Sequence, residues 1–164
     1  MNRSLWNTQN DLDEKVRLGA IELLNKQLAD ALDLALQTKQ AHWNVKGPSF
    51  IALHELFDEV QKELSEFADE IAERAVALGG TALGTARVAA RDSRLPVYPL
   101  TISSGREHVL ALSGTLATFG KSARAAIDSA TVLGDADTAD LFTEVSRGVD
   151  KLLWKVEVHA QAKD

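Results

Sequence analysis

The chain has 164 residues, of which 45% are hydrophobic, 5% are aromatic and none is cysteine, and its formal net charge is −6. The excess of acid argues against a general nucleic-acid-binding surface, because neutralising phosphates needs clustered lysine and arginine. The lack of cysteine excludes thiolate zinc sites and iron–sulfur clusters. Length and apolar content suit one globular domain over residues 1–164. Since no apolar run approaches about 18 residues and no apolar targeting core is visible, we expect a cytoplasmic protein.

A short polar tail over residues 1–10 precedes the first helix, which is predicted from about Asp11 to Val45. Steps of three and four residues give this helix one inward-facing stripe. The stripe consists of Ile21, Leu24, Leu28, Leu32, Ala35, Lys39 and His42. Gly47-Pro48 then breaks the helix and turns the chain back.

The second helix is predicted to begin after Ser49, a suitable N-cap, and to end at Gly79-Gly80. No proline or glycine interrupts the residues between them. The long connection from Thr81 to Thr101 contains two prolines, and a short helix is predicted within it over Thr85–Arg91.

The third helix begins at Ser104-Gly105-Arg106-Glu107, which has the form of a capping box, and reaches about Leu133. Gly134 interrupts it, and a fourth helix begins between Asp135 and Thr138. The inward stripe of this helix consists of Leu141, Val145, Val149, Leu152 and Val156. Four long helices with one long crossover predict an all-α, ferritin-like four-helix bundle with a short extra helix in the crossover.

Four potential metal ligands of the second helix form two pairs with a spacing of four residues: His54 with Asp58, and Asp69 with Glu73. At 100° per residue they fall at roughly 0°, 40°, 60° and 100°, within one stripe of the helix. Along the axis, however, Asp58 and Asp69 are about 16 Å apart. Because bonds from a metal to nitrogen or oxygen are about 2 Å long, the two pairs cannot share an ion within one straight helix.

A second copy of the helix, packed antiparallel across a two-fold axis near Glu63 and Leu64, removes this mismatch. It brings the His54 end of one chain opposite the Glu73 end of the other and creates two equivalent sites per dimer. These sites would lie on the order of 20 Å apart. The alternative is a solvated acidic face with ordinary intrahelical ion pairs, since this stretch is rich in acids.

His42 lies at the end of the first helix, and the turn at Gly47-Pro48 places it near His54 and Asp58. A histidine on an inward stripe is commonly a hydrogen-bonded core residue, which is the alternative here. Two histidines with carboxylates form a nitrogen and oxygen donor set suited to Fe, Zn or Mn.

Several segments of the chain resemble the Dps proteins, which are ferritin-like proteins of DNA protection in starved bacterial cells. The resemblance covers nearly the whole chain, and the His-Trp motif with its downstream ligands is highly specific. The matching segments are Thr38-Lys39-Gln40-Ala41-His42-Trp43-Asn44-Val45-Lys46-Gly47-Pro48-Ser49-Phe50, His54-Glu55, Asp58, Asp69-Glu70-Ile71-Ala72-Glu73-Arg74, Asp137-Thr138-Ala139-Asp140, Ser146-Arg147, Asp150-Lys151 and Leu153-Trp154.

The resemblance implies a hollow dodecamer with a ferroxidase centre at each end of every two-fold interface. His42, His54 and Asp58 would come from one subunit, and Asp69 and Glu73 from its partner. Iron is then the metal: Fe(II) is oxidised, preferably by hydrogen peroxide, and Fe(III) is stored as a mineral.

Within the implied reaction, Asp58 and Glu73 are the expected principal iron-holding carboxylates, and Asp69 is either a weaker ligand or a supporting residue. Trp43, next to His42, is a candidate electron donor that traps stray oxidising equivalents. Packing at the helix end is expected to be the larger part of its role.

Three acids cluster at the start of the fourth helix: Asp135, Asp137 and Asp140. They are expected to cap the helix and to offset its dipole. The resemblance places this region at three-fold pores, where a ring of acids draws in Fe(II), and Asp140 is the favoured pore residue. His108 and His159 are expected to be ordinary surface or packing residues.

Two other classes of function compete with iron oxidation. The first is a DNA-compacting protein associated with the nucleoid, whose protection is mainly physical. The N-terminus carries one basic residue, Arg3, before Asp11, Asp13 and Glu14, and Lys163 is followed by an acid, so we expect weak DNA binding. The second is an inert helical interaction module without iron chemistry.

Overall fold

The computed structural model describes residues 5–161, and within that range it contains five helices and no strand. The helices are α1 Glu14–Asn44, α2 Phe50–Ala77, α3 Ala86–Asp92, α4 Gly105–Leu133 and α5 Ala136–Gln161. The predicted all-α architecture with a short helix in the crossover is confirmed. Arg3 and Lys163 lie outside the described residues.

The four long helices share one apolar core. α1 packs mainly against α2 and α4 mainly against α5, as expected for antiparallel neighbours joined by short loops. Each long helix contributes large side chains that are fully buried, among them Leu24, Phe57, Phe119 and Phe142. Among the described helices, none is both long and apolar enough to cross a membrane.

The first helix starts three residues later than predicted, at Glu14 rather than near Asp11. The backbone N–H of Leu12 donates to Asn10 Oδ1 at 3.0 Å, and that of Asn10 donates to Thr8 Oγ1 at 3.2 Å. These local side-chain acceptors hold the backbone in turns and compete with the helical hydrogen-bond pattern.

The other predicted helix ends are confirmed with one difference. Ser104 and Glu107 form the capping box, in which each side chain bonds the other residue's backbone N–H. Asp135 caps α5 by accepting from Thr138 N at 3.0 Å. Ser49 occupies the cap position of α2 but its side chain makes no capping bond, because its ψ of 18° is far from the extended backbone of a normal N-cap.

The crossover between α2 and α4 is attached to the bundle by a buried carboxylate. Asp30 of α1 is 1% exposed and accepts from Arg94 N at 2.8 Å, Nε at 3.1 Å and Nη2 at 2.5 Å. Gln37, about two turns after Asp30 on α1, donates to the Pro96 carbonyl at 3.0 Å. These bonds fix the course of a segment that has little regular structure of its own.

Arg94→Ala should lower the free energy of unfolding by about 1–3 kcal/mol, because it leaves the buried Asp30 carboxylate with fewer donors. Urea unfolding followed by circular dichroism at one fixed protein concentration would measure the change. Arg87→Ala, at an exposed arginine of α3, is the matched control and should change stability by less than about 0.5 kcal/mol. Equal losses in the two variants would show that the Asp30 contact is not what holds the crossover.

Candidate metal centre

The candidate centre lies where α1 ends and α2 begins. The turn between these helices passes through Gly47, whose φ of +114° is in the region that favours glycine. Lys46 N donates to the Ser103 carbonyl at 2.9 Å, which attaches the turn to the start of α4. The last turn of α1 therefore faces the first turns of α2, as the sequence predicted.

His42 and His54 form a stacked pair with ring centroids 3.7 Å apart and an interplanar angle of 22°. His42 Nδ1 donates to the His54 carbonyl at 2.7 Å, and His54 Nδ1 donates to the His42 carbonyl at 2.9 Å. A carbonyl can only accept, so both protons sit on Nδ1 in the neutral rings and both Nε2 atoms keep a lone pair. A backbone carbonyl that holds the far nitrogen in this way is the usual support of a metal-binding histidine.

Asp58 lies beside this pair and is held in its ionised form. Lys39 Nζ donates to Asp58 Oδ1, and His42 Nδ1 is 4.0 Å from the same oxygen. The hydrogen bond from Lys39, together with the charge of the Lys39 ammonium, lowers the pKa of Asp58. Lys39 continues the inward stripe of α1 only in part: its side chain is 28% exposed, and its ammonium lies at the seam with α2, where it bonds a carboxylate.

Asp69 and Glu73 are exposed on the same face of α2 but lie towards its other end. Within residues 5–161, no three histidine, aspartate or glutamate side chains are placed to hold one metal ion. His42, His54 and Asp58 lie next to one another without forming a three-ligand site, and Asp69 and Glu73 lie apart from them. Completion of the site by a partner subunit stays a prediction.

The symmetry predicted for the exposed face of α2 extends to an apolar pair that the sequence reasoning missed. Ile51 is 61% exposed and Val76 is 54% exposed, although both are apolar. Three pairs of residues on this face are placed symmetrically about the middle of the helix: Ile51 with Val76, His54 with Glu73, and Asp58 with Asp69. Such a pattern is what a helix paired with its own antiparallel copy requires, and the spacing in the sequence already contained it.

Leu64, which the sequence placed near the two-fold axis, is fully buried in the chain's own core. It can mark the middle of α2 but cannot lie on the exposed face.

Trp43 is 66% exposed, so the packing role expected for it is wrong within one chain. The α1 helix ends one residue later, and the ring points away from the bundle core because His42 and Ala41 occupy the inner side. Its role as an electron donor stays a prediction.

The three acids at the start of α5 differ in their surroundings. Asp135 is 1% exposed and accepts from Arg74 Nη2 at 2.7 Å, in addition to capping the helix, so it cannot line a pore. Asp137 has an 84% exposed side chain and Asp140 is also exposed. A pore role for Asp140 stays a prediction.

Comparison with known proteins gives consistent matches. The family described as "Ferritin-like domain" matches residues 21–162. The DNA protection during starvation protein of Agrobacterium fabrum is 46% identical over 156 residues, covering 95% of this chain and 96% of that protein. DNA protection during starvation protein 1 of Deinococcus radiodurans is 34% identical over 146 residues, which cover 89% and 70% of the two chains.

Solved structures show the same fold. Dps from Microbacterium arborescens in the high iron form has a TM-score of 0.86 at 30% identity and covers 97% of this chain and 100% of its own. DpsC from Streptomyces coelicolor has a TM-score of 0.92 at 29% identity, with 98% and 94% covered. The predicted ferritin-like fold is confirmed, and the chain belongs to the Dps family of ferritin-like proteins.

Proposed function

We propose that this protein oxidises Fe(II) with hydrogen peroxide at centres shared between two subunits and stores the Fe(III) inside a hollow dodecamer. Membership of the Dps family supports iron storage and DNA protection in general. The observation that carries the finer proposal is the stacked His42–His54 pair, whose Nε2 atoms are free to bind a metal beside the ionised Asp58.

The donor set suits both oxidation states of iron. Imidazole nitrogen binds Fe(II) well, whereas hard carboxylate oxygen favours Fe(III), so a mixed set can take up one and hold the other. Lys39 neutralises Asp58 in the absence of a cation and has to leave it when Fe(II) binds. Asp58 and Glu73 are the proposed principal carboxylates, and Asp69 is a weaker ligand or a support.

The α2 face provides the geometry for sharing. In an antiparallel pair, His54 and Asp58 of one chain face Glu73 and Asp69 of the other, while the apolar residues at the ends of this face pack against each other. The solved Dps neighbours support a homo-oligomer, and we propose that it is built from such contacts. The dodecamer is the assembly that we propose.

Hydrogen peroxide is the proposed oxidant because it accepts two electrons, one from each of two Fe(II) ions. With two protons it leaves as water, so the reaction consumes both ingredients of hydroxyl-radical chemistry. Trp43, exposed and next to His42 in the chain, is a proposed donor for oxidising equivalents that escape this reaction.

Replacing both His42 and Asp58 by alanine should slow Fe(II) oxidation by peroxide by more than about a hundredfold, since even groups that only support a ligand contribute about ten- to a hundredfold. The growth of ferric absorbance in stopped flow measures the rate. The matched control replaces Asp11 and His159, which are exposed and are not among the proposed ligands, and should oxidise iron at the wild-type rate. Unchanged oxidation in the His42/Asp58 variant would exclude this centre.

Two inactive variants should restore each other if the centre is shared. Asp58→Asn disables one half of each centre and Glu73→Gln the other, so a mixed dimer keeps one intact centre and one doubly defective centre. Co-refolding equal amounts should recover about a quarter of the wild-type rate, because half of the dimers are mixed. Pre-assembled variants mixed without exchange are the control and should stay inactive. No recovery after co-refolding, with assembly verified by light scattering, would place the centre within one chain.

DNA compaction is the second candidate, favoured by the DNA-protection names of the relatives rather than by a basic surface. Asp11, Asp13 and Glu14 are exposed around the start of α1, and the net charge is −6. An acidic surface repels phosphates, so we propose that the protein protects DNA by consuming Fe(II) and hydrogen peroxide and not by binding it.

In a gel shift near physiological salt, the protein should leave plasmid DNA unretarded, because the phosphate contribution to affinity is small. Replacing Asp11 and Asp13 by lysine is the positive control and should produce salt-sensitive retention. Tight wild-type retention that persists as salt is raised would favour compaction instead.

A further inference from the structure

A buried tyrosine–histidine pair joins the crossover to the first turn of α4. Tyr98, in the crossover, is 7% exposed, and His108, in the first turns of α4, is 1% exposed. Tyr98 Oη and His108 Nδ1 are 2.6 Å apart and the two rings are stacked with an interplanar angle of 16°. The iron chemistry proposed above does not use either residue.

The protonation states of the pair favour proton transfer from the phenol to the imidazole. Burial lowers the pKa of His108, which keeps the ring neutral, and the nearby Asn44 backbone and Glu107 oppose this only in part. Burial raises the pKa of Tyr98, so the phenol keeps its proton in the resting protein. The interaction with the Asn44 backbone favours a proton on Nε2 of the His108 ring. In that tautomer Nδ1 has a lone pair and accepts from the Tyr98 hydroxyl.

Packing alone does not account for these two residues. His108 Nε2 is buried and makes no regular hydrogen bond among residues 5–161. The Asn44 backbone offsets only part of the desolvation of this ring, so the buried Nε2 carries a cost that an apolar ring of the same shape would not. A redox or catalytic role is one of the recognised reasons for such an atom.

The pair is adjacent to the helix end that carries the candidate ligands. Asn44, whose backbone acts on His108, is the last residue of α1 and follows His42 by two positions, or about 3 Å along the helix axis. The bond from Lys46 N to the Ser103 carbonyl holds the start of α4 against this end. The pair is therefore connected to the candidate ligands through Asn44 and the α1–α2 turn.

We propose that Tyr98 and His108 form a proton-coupled electron relay that quenches one-electron oxidants formed at the iron centre. The relay rests on the proposed function, because the oxidant comes from the same reaction. When a single Fe(II) reduces hydrogen peroxide by one electron, it leaves an oxidant equivalent to a hydroxyl radical. Tyr98 loses one electron to this oxidant, which takes a proton from solvent and becomes water. The phenol proton moves to His108 Nδ1, which leaves a neutral tyrosyl radical beside an imidazolium.

The relay then resets with a second Fe(II). This ion gives one electron to the tyrosyl radical and becomes Fe(III), while the proton returns from His108 Nδ1 to Tyr98 Oη. His108 is a positioning residue in this scheme, since it holds the proton and does not contact iron. The sum of the two stages is the oxidation of two Fe(II) by one hydrogen peroxide.

Tyr98 is the only tyrosine of the chain, which allows an unambiguous test in the whole assembly. The protein is made with ordinary or ring-deuterated tyrosine, mixed with a limiting amount of Fe(II) and then peroxide, and frozen within milliseconds for electron paramagnetic resonance. We expect a tyrosyl signal whose hyperfine splitting collapses on deuteration. Iron oxidation without a signal that responds to deuteration would overturn the relay and leave the proposed function standing. Absence of iron oxidation would overturn both.

Variants test the roles of the two residues. Tyr98→Phe should abolish the signal, leave the initial rate of iron oxidation within about twofold and raise spin-trapped hydroxyl radical about tenfold. His108→Gln keeps Tyr98 but removes the proton acceptor, and should slow tyrosyl formation by about a hundredfold, the low end of what a positioned base contributes. His159→Gln, at an exposed histidine, is the matched control and should match the wild type. Tyrosyl formation that is equally fast in His108→Gln and His159→Gln would overturn the role of His108.

Discussion

The length of a straight helix governs the proposed chemistry. α2 places Asp58 and Asp69 on one face but about 16 Å apart, which is far beyond the reach of one metal ion. In the proposed centre, the chain therefore carries two halves at opposite ends of one helix, and each half lacks the ligands of the other. The symmetric arrangement of Ile51 and Val76 around the same midpoint supplies apolar contact for the copy that would join them. In this proposal assembly and iron oxidation are one property, because the same face of α2 serves both.

The side chains proposed as ligands at the α1–α2 turn are oriented by the protein itself. Each of His42 and His54 donates its Nδ1 proton to the other residue's backbone carbonyl, so ring orientation and tautomer are set by the turn itself. Lys39 offsets the charge of Asp58 in the same place. The positive charge of Lys39 thereby keeps the Asp58 carboxylate ionised beside the two imidazole rings.

Buried polar contacts elsewhere hold the crossover and the far end of α2. Asp30 binds the crossover through Arg94, and Arg74 of α2 bonds Asp135 at the start of α5. Arg74 follows Glu73 directly, so the end of α2 that carries this candidate ligand is tied to the α4–α5 corner. The Tyr98–His108 pair differs from these contacts, because one of its polar atoms is left without a regular partner. A neutral base beside a protonated phenol is suited to moving a proton rather than to holding a loop.

The helices and the candidate ligands could be predicted from the order of the residues, because both depend on local rules. Periodicity and breakers located α1 to α5 to within a few residues, and four-residue spacing placed the ligand pairs on one face of α2. Local rules fail where distant segments meet. The packing of α1, α2 and the crossover decides three features of the site. Lys39 binds Asp58, Trp43 is exposed, and His108 is buried against Tyr98. These features follow from the folded structure, since the distance in space between two side chains, or between a side chain and solvent, is not set by spacing along the chain.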